Sequence, residues 1–209
     1  MSIKYPIISV TGSSGAGTST VKHTFQQIFR RESVEAATME GDAFHRYNRK
    51  EMKKEVEKRN AAGDATFSHF SFDANLLPEL EECFRSYGKK GKCLYRHYVH
   101  NDKEERLHGV KPGNFTKWQE LEGSSDLLFY EGLHGAVVND DVNLARYADL
   151  KIGVVPVINL EWIQKIHRDR DARGYSTEAV TDTILRRMHA YVHCVCPQFT
   201  ETDINFQRV

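Results

Sequence analysis

The stretch Ile7-Ile-Ser-Val-Thr-Gly-Ser-Ser-Gly-Ala-Gly-Thr-Ser-Thr20 restricts the possible folds of this chain more than any other. A β-branched run from Ile7 to Thr11 opens into a glycine-rich turn. Val21, Phe25, Ile28 and Phe29 then recur at helical spacing as one apolar face. Strand, Gly12-x-x-x-x-Gly17, then Thr18-Ser19 is the arrangement of a phosphate-binding loop in its expected context. Glycines let successive backbone N–H groups turn inward around a phosphate, and the following helix adds the positive end of its dipole. The loop comprises Gly12, Ser13, Ser14, Gly15, Ala16, Gly17, Thr18, Ser19 and Thr20, with Ser19 placed so that its hydroxyl reaches a nucleotide-bound Mg²⁺. Thr18 stands where such loops commonly carry a lysine for the β- and γ-phosphates, so another cation has to come from elsewhere in the chain.

The 209 residues fit one domain large enough to bury a core, with 29 basic residues against 29 acidic ones. That balance supplies no global field for nucleic acid or an anionic membrane, so an anion site must be local. No window approaches the roughly 18 apolar residues of a spanning helix, and no signal-peptide core is present. Cys83, Cys93, Cys194 and Cys196 contain no C-x-x-C pair, so neither a disulfide framework nor a cysteine metal site is expected. These features imply a cytoplasmic protein.

Further strands are expected over 34–39, 92–100, 126–131, 150–155 and 203–209. Helices are expected over 76–87, with Gly88 as a stop, over about 160–173 before Gly174, and from the N-cap Ser176 toward Pro197. Short apolar strands separated by helices argue an α/β fold: a parallel sheet covered by helices on both faces. The connection 43–125 is too long for a simple crossover and should hold a substrate-binding insertion.

In an open parallel sheet, ligands sit beyond the carboxyl ends of the strands. There the sequence puts the glycine loop, Asp42 and Glu131. A carboxylate beside a polyphosphate can hold Mg²⁺ or take the proton of an attacking hydroxyl. The missing cation has candidates in Lys165, Arg168 and Arg173 on a Gly-ended helix that could close over a transferring phosphoryl group. On composition alone such a helix is more commonly a solvated face with i,i+4 charge pairs. His45, Arg46 and Arg49, together with Arg186 and Arg187, would suit a phosphorylated acceptor.

Gly12 to Thr20, Glu40-Gly-Asp-Ala-Phe-His-Arg46, Tyr130-Glu-Gly-Leu-His-Gly135 and Val155-Pro-Val-Ile-Asn-Leu-Glu-Trp-Ile-Gln-Lys-Ile-His-Arg168 resemble the bacterial phosphoribulokinases end to end. The wider superfamily, with uridine kinase, shares the Arg-Asp-x-x-x-Arg-Gly lid found from Arg168 to Gly174. The resemblance implies a three-layer P-loop kinase fold that uses ATP and Mg²⁺. It further implies transfer of the γ-phosphate to the 1-hydroxyl of ribulose 5-phosphate, in the Calvin cycle of carbon fixation. It makes Asp42 the general base, Glu131 with Ser19 the Mg²⁺–ATP ligands, and Lys165 and Arg168 the phosphoryl-stabilising cations. His45, Arg49, Lys53, His100 and Arg173 become sugar-phosphate contacts, with Arg186 and Arg187 nearby, and Arg31 an NADH allosteric position in a homo-oligomer. The loop has Ser13 and no redox-switched cysteine of the plant type. Family chains continue beyond Val209, so the expected domain, 1–209, lacks their C-terminal extension. Two other readings fit the residues: a kinase of another pentose phosphate or nucleoside, and an ATP-binding remnant that pairs with a complete enzyme.

Overall fold

The structure, a computed structural model, describes residues 4–13, 15–121 and 125–208, apart from the side chains of residues 172, 173 and 208. Its strands are β1 (Ile7–Thr11), β2 (Ala36–Glu40), β3 (Leu94–Tyr95), β4 (Gln119–Glu120), β5 (Leu127–Gly132), β6 (Leu150–Pro156) and β7 (Ile204–Arg208). Five of them form one sheet in the order β2-β5-β1-β6-β7, every pair parallel. Its helices are α1 (Thr18–Arg31), α2 (Arg49–Ala61), α3 (Leu77–Lys90), α4 (Asp102–His108), α5 (Ile158–Arg173) and α6 (Thr177–Ala190).

Alternation along β5 assigns its side chains to two different cores. Phe129 points to the α1 side, where it meets Phe25 and Phe29 at ring-centroid separations of 5.3 and 5.6 Å. Leu128 and Tyr130 point the other way and pack with Leu80, Phe84 and Tyr87 of α3. Each such side chain, once buried, stabilises the fold by roughly 1.5–3 kcal/mol. The expected three layers are therefore present, with the sheet in the middle. Ile28 departs from the expected buried face of α1 and is 38% exposed, because it lies at the margin of a stripe centred on Phe25.

Other boundaries differ from expectation for local reasons. Gly88 does not stop α3. The helix runs to Lys90 and ends at Gly91, whose left-handed φ of 70° lets its N–H bond the Tyr87 carbonyl. The strand expected over 92–100 shrinks to Leu94–Tyr95, paired with β4. Beyond it the same antiparallel course continues as separate bonds, from Thr116 N–H to the His97 carbonyl (2.9 Å) and from Val99 N–H to the Asn114 carbonyl (2.9 Å). The helix α4 has no buried residue and hence no apolar stripe to betray it, although Asn101 caps its first turn.

The insertion between β2 and β5 contains α2, α3, β3, α4 and β4. Its inner edge is fastened to the turn that follows β2. Arg96 donates to the carbonyls of Ala43 and His45, both at 2.7 Å, while its guanidinium lies over the rings of Phe115 and Trp118. Gly41 and Gly132 meet at the ends of β2 and β5, where a Cβ on either would come within 2.8 Å of the other's backbone. That close approach draws the two strand ends, and the carboxylates they carry, together.

Candidate active site

The register of β2 against β5 sets Glu40 opposite Glu131, and that of β1 against β5 sets Thr11 opposite Gly132. The glycine loop, Asp42 and Glu131 therefore converge at one edge of the sheet. Gly12 N–H bonds the Gly132 carbonyl at 3.1 Å and anchors the loop to β5. Gly17 begins α1 with φ 104°, has no side chain to cap the helix, and faces open space where a Cβ would lie. A helix N-terminus left uncapped beside open space suits a phosphate. Ser19 and Thr20 are exposed there, Ser13, Ala16 and Thr18 are buried, and Ser14 lies outside the described residues.

Thr18 does not copy the missing lysine. Its side chain turns back toward Gly12 and its hydroxyl engages Glu131. Burial raises the Glu131 carboxyl above its ordinary range, against the opposing pull of Thr18 and Lys22, while Glu40 and Asp42 push the same way as burial. Lys22 is ion-paired with Glu40. A carboxylate crowded in this way gains from an added cation. Among the described residues no three His, Cys, Asp or Glu side chains cluster as a metal site would need.

Asp42 lies in the 3-10 turn Gly41–Phe44, two residues past the end of β2, and keeps 41% of its side chain exposed. His45 Nε2 lies 3.2 Å from Oδ1 of Asp42, and His100 Nε2 lies 3.6 Å from Oδ2. Burial by itself would raise the Asp42 carboxyl. The charge and hydrogen bond of His45, with His100 and His69 behind it, outweigh burial and hold Asp42 well below the usual carboxylate range.

On the other flank α5 rests on the loop. Ser13 Oγ donates to Glu161 Oε1 at 2.6 Å, and a Cβ on Gly15 would meet Glu161 at 3.3 Å and Lys165 at 3.6 Å. Lys165 is buried beside the loop, its Nζ 2.6 Å from Asp169 Oδ2, while Arg168 Nε reaches Asp169 Oδ1 at 3.1 Å. An i,i+4 pair does form, but it is enclosed against the loop, unlike the solvated face that composition alone allows. Burial lowers Lys165 and the charges of Arg187 and Arg168 lower it further, opposed by Asp169. Asp169 is in turn raised by burial, and Lys165 and Arg168 reverse that effect to leave it below its ordinary range.

A phosphate loop, an ionised carboxylate and an enclosed lysine at the ends of a parallel sheet make a phosphoryl-transfer site. The family model described as "Phosphoribulokinase / Uridine kinase family" matches residues 7–209. The chain belongs to the phosphoribulokinase/uridine kinase family. It is 72% identical to phosphoribulokinase 2 of Cereibacter sphaeroides, over all of this chain and 72% of that protein. It is 70% identical to the phosphoribulokinase of Nitrobacter vulgaris, over 99% of this chain and 71% of that one. A solved phosphoribulokinase from Rhodobacter spheroides superposes with a TM-score of 0.85 at 69% identity, over 98% of this chain and 70% of that structure. The fold is that of a P-loop kinase of this family, and its members' use of ATP accounts for the loop.

The remaining family positions fall into two groups. His45 and His100 lie against Asp42, and Arg49 joins them, since its Nη2 donates to the His100 carbonyl at 3.2 Å. Arg187 stands 5.4 Å from the ring of Phe70 and is close enough to oppose the charge of His45. Lys53 faces solvent near Glu57 (4.0 Å), and Arg186 pairs with Asp182 at 3.1 Å. The side chain of Arg173 lies outside the described residues. Arg46, grouped with His45 in sequence, is spent on the carbonyls of Asp73 and Asn75. Residues that sequence reasoning missed include Asn75, Glu161 and Asp169. Only Asp169 left a signal, its i,i+4 spacing from Lys165.

Proposed function

We propose that this chain transfers the γ-phosphoryl group of ATP to O1 of ribulose 5-phosphate, giving ribulose 1,5-bisphosphate and ADP. Asp42 carries the reading: a partly exposed carboxylate, held ionised by His45 and His100, at the sheet end that bears the phosphate loop. The 1-hydroxyl approaches the γ-phosphorus in line as its proton passes to an Asp42 oxygen. The oxygen–phosphorus bond to the acceptor forms as the bond to the β-phosphate bridging oxygen breaks. Charge on the equatorial oxygens is met by loop amides, Lys165 and Arg168. Arg49, Lys53, His100, Arg173, Arg186 and Arg187 are assigned to the sugar phosphate, with His45 contributing its charge through Asp42. The relatives named phosphoribulokinase support this acceptor over a nucleoside. The reading also includes a cytoplasmic homo-oligomer that forms one domain over 1–209, with NADH activation at Arg31, which is exposed in the last turn of α1. Among the described residues no helix is long and apolar enough to cross a membrane.

The test is turnover of ATP with ribulose 5-phosphate, ribose 5-phosphate and uridine in parallel. Ribulose 5-phosphate is expected to be the preferred acceptor. Preference for uridine, or ATP binding without any turnover, would refute the assignment.

Glu131 and Ser19 are the proposed protein ligands of the metal. Bound Mg²⁺ would supply positive charge that offsets the phosphates' negative charge. Glu131→Ala and Ser19→Ala are each expected to raise the Mg²⁺ concentration for half-maximal rate by about 10-fold or more. Unchanged Mg²⁺ titrations in both variants would place the metal elsewhere.

A further inference from the structure

The hydrogen bonds behind Asp42 assign a role to Asn75, a residue outside the set described for the reaction. Asn75 is 3% exposed and lies between the 3-10 turn Phe72–Ala74 and α3. Its Nδ2 donates to the carbonyls of His69 (2.9 Å) and Ser71 (2.8 Å). Both partners are acceptors only, so the orientation of the amide is settled and Oδ1 is the atom that faces His45. His45 Nδ1 lies 2.8 Å from that oxygen and must donate to it. The other ring nitrogen, Nε2, faces the Asp42 carboxylate at 3.2 Å. With an amide oxygen on one side and a carboxylate on the other, both ring nitrogens meet acceptors.

We propose that Asn75 is a positioning residue that holds His45 as an imidazolium aimed at Asp42, so that the base stays ionised with one oxygen pinned. The backbone reinforces the geometry. Residues 45 and 75 form an antiparallel bridge, Arg46 N–H bonds the Ala74 carbonyl at 2.8 Å, and Leu76 N–H bonds the Phe44 carbonyl at 2.7 Å. Arg96 holds the His45 carbonyl from the opposite side. His45 is thereby committed to the protein at both nitrogens, and its use to substrate passes through Asp42. A carboxylate of low basicity suits a loose transition state in which the hydroxyl proton leaves late.

The surroundings resist the charge that Asn75 and Asp42 create. His45 is buried, with the His69 ring 5.0 Å away and Tyr98 6.3 Å away. Arg187 from α6 adds positive charge, and His134 and His100 complete the shell. Burial lowers His45, but Asp42 and the Asn75 acceptor overcome it and raise His45 above its ordinary value. For His69 the balance goes the other way: burial, then the charges of His45 and Arg187, bring it down to about 3 against the weaker pull of Asp42. The net effect thus favours the charge on His45 and opposes it on its neighbour. For a group raised in this way the charge is complete at low pH and lost as pH climbs through the raised value.

The proposal rests on the role given to Asp42 above, and its test begins where that role is not needed. In the full chain labelled with ¹⁵N-histidine and without ligands, two-bond ¹H–¹⁵N spectra should find both His45 ring nitrogens protonated at neutral pH. A neutral His45 tautomer would overturn the proposal with no variant required and with any acceptor. In Asn75→Ala, the second proton should be lost at lower pH. The alkaline limb of kcat should move the same way, and kcat should fall about 10-fold, the order of cost for a modest misplacement of a reacting group. KM for ATP should hold. Unchanged kcat and an unmoved alkaline limb in Asn75→Ala would also overturn it. If that variant does not fold, the spectrum of the parent chain decides. If no acceptor is turned over, the proposed function fails while the spectrum still tests the Asn75–His45–Asp42 chain.

Discussion

Asp42→Asn is expected to lose kcat by ~10² or more while the dissociation constant for ATP stays near that of the parent chain, since general-base assistance is typically worth 10²–10⁴-fold. The substitution keeps the shape of the side chain and removes its charge. Asp42 sits past the end of β2, and its contacts are His45 and His100, while the phosphate loop is anchored separately through Gly132. Nucleotide binding and proton removal are therefore separable in this site. The sign of the pH effect also follows. Because its neighbours hold Asp42 below the usual carboxylate range, the carboxylate is fully available above that range and is lost only as pH falls through the lowered value. The parent chain should show no acid limb from Asp42 near neutrality. A near-normal rate in Asp42→Asn would remove it from the mechanism.

Lys165→Met is expected to cut kcat by ~10² to 10³, the scale of losing one preorganised stabilising group, with little change in ATP binding. Thr18 is turned toward Glu131, so the loop itself offers no cation at the position where one is usual. Lys165 comes to the loop from α5 and is already enclosed beside Gly15. Its ground-state partner, Asp169, keeps Arg168 when the lysine is removed, which limits the damage to folding. Thermal unfolding of the variant should be recorded beside its kinetics, so that loss of structure is not read as loss of catalysis. Thr18→Lys is not expected to rescue Lys165→Met, because a lysine rooted at the base of α1 lies on the Glu131 side of the loop. Full activity in Lys165→Met, or recovery in the double variant, would show that α5 does not supply the missing charge.

Much of this molecule could be read locally. The strand–loop–helix opening and the placing of Asp42 and Glu131 at or just past strand ends follow from patterns within about ten residues, and the parallel sheet from the alternation of strands with helices. A β-branched run, a glycine that tolerates a left-handed turn and an apolar stripe at helical spacing each declare themselves without reference to the rest of the chain. Where such signals are weak, reading fails. The exposed helix α4 has no stripe, and Gly88 resembles a helix stop because the sequence does not say that Gly91, three residues later, has the left-handed φ.

The partners of the site residues belong to the tertiary structure. Ser13 and Glu161 are 148 residues apart in the chain, and His45 and Asn75 are 30 apart across a segment with no steady periodicity. They meet because the sheet order β2-β5-β1-β6-β7 sets the ends of β2 and β5 on one side of the glycine loop and α5 on the other. By itself, the sequence determined which residues carry charge and which faces are apolar. The fold decided which acceptor each donor meets, and hence that His45 meets Asp42, that Thr18 meets Glu131, and that Lys165 lies enclosed beside the loop. A hydrogen bond needs its two atoms within about 3 Å, and for residues so distant in the chain only the packed sheet and its covering helices bring them that close.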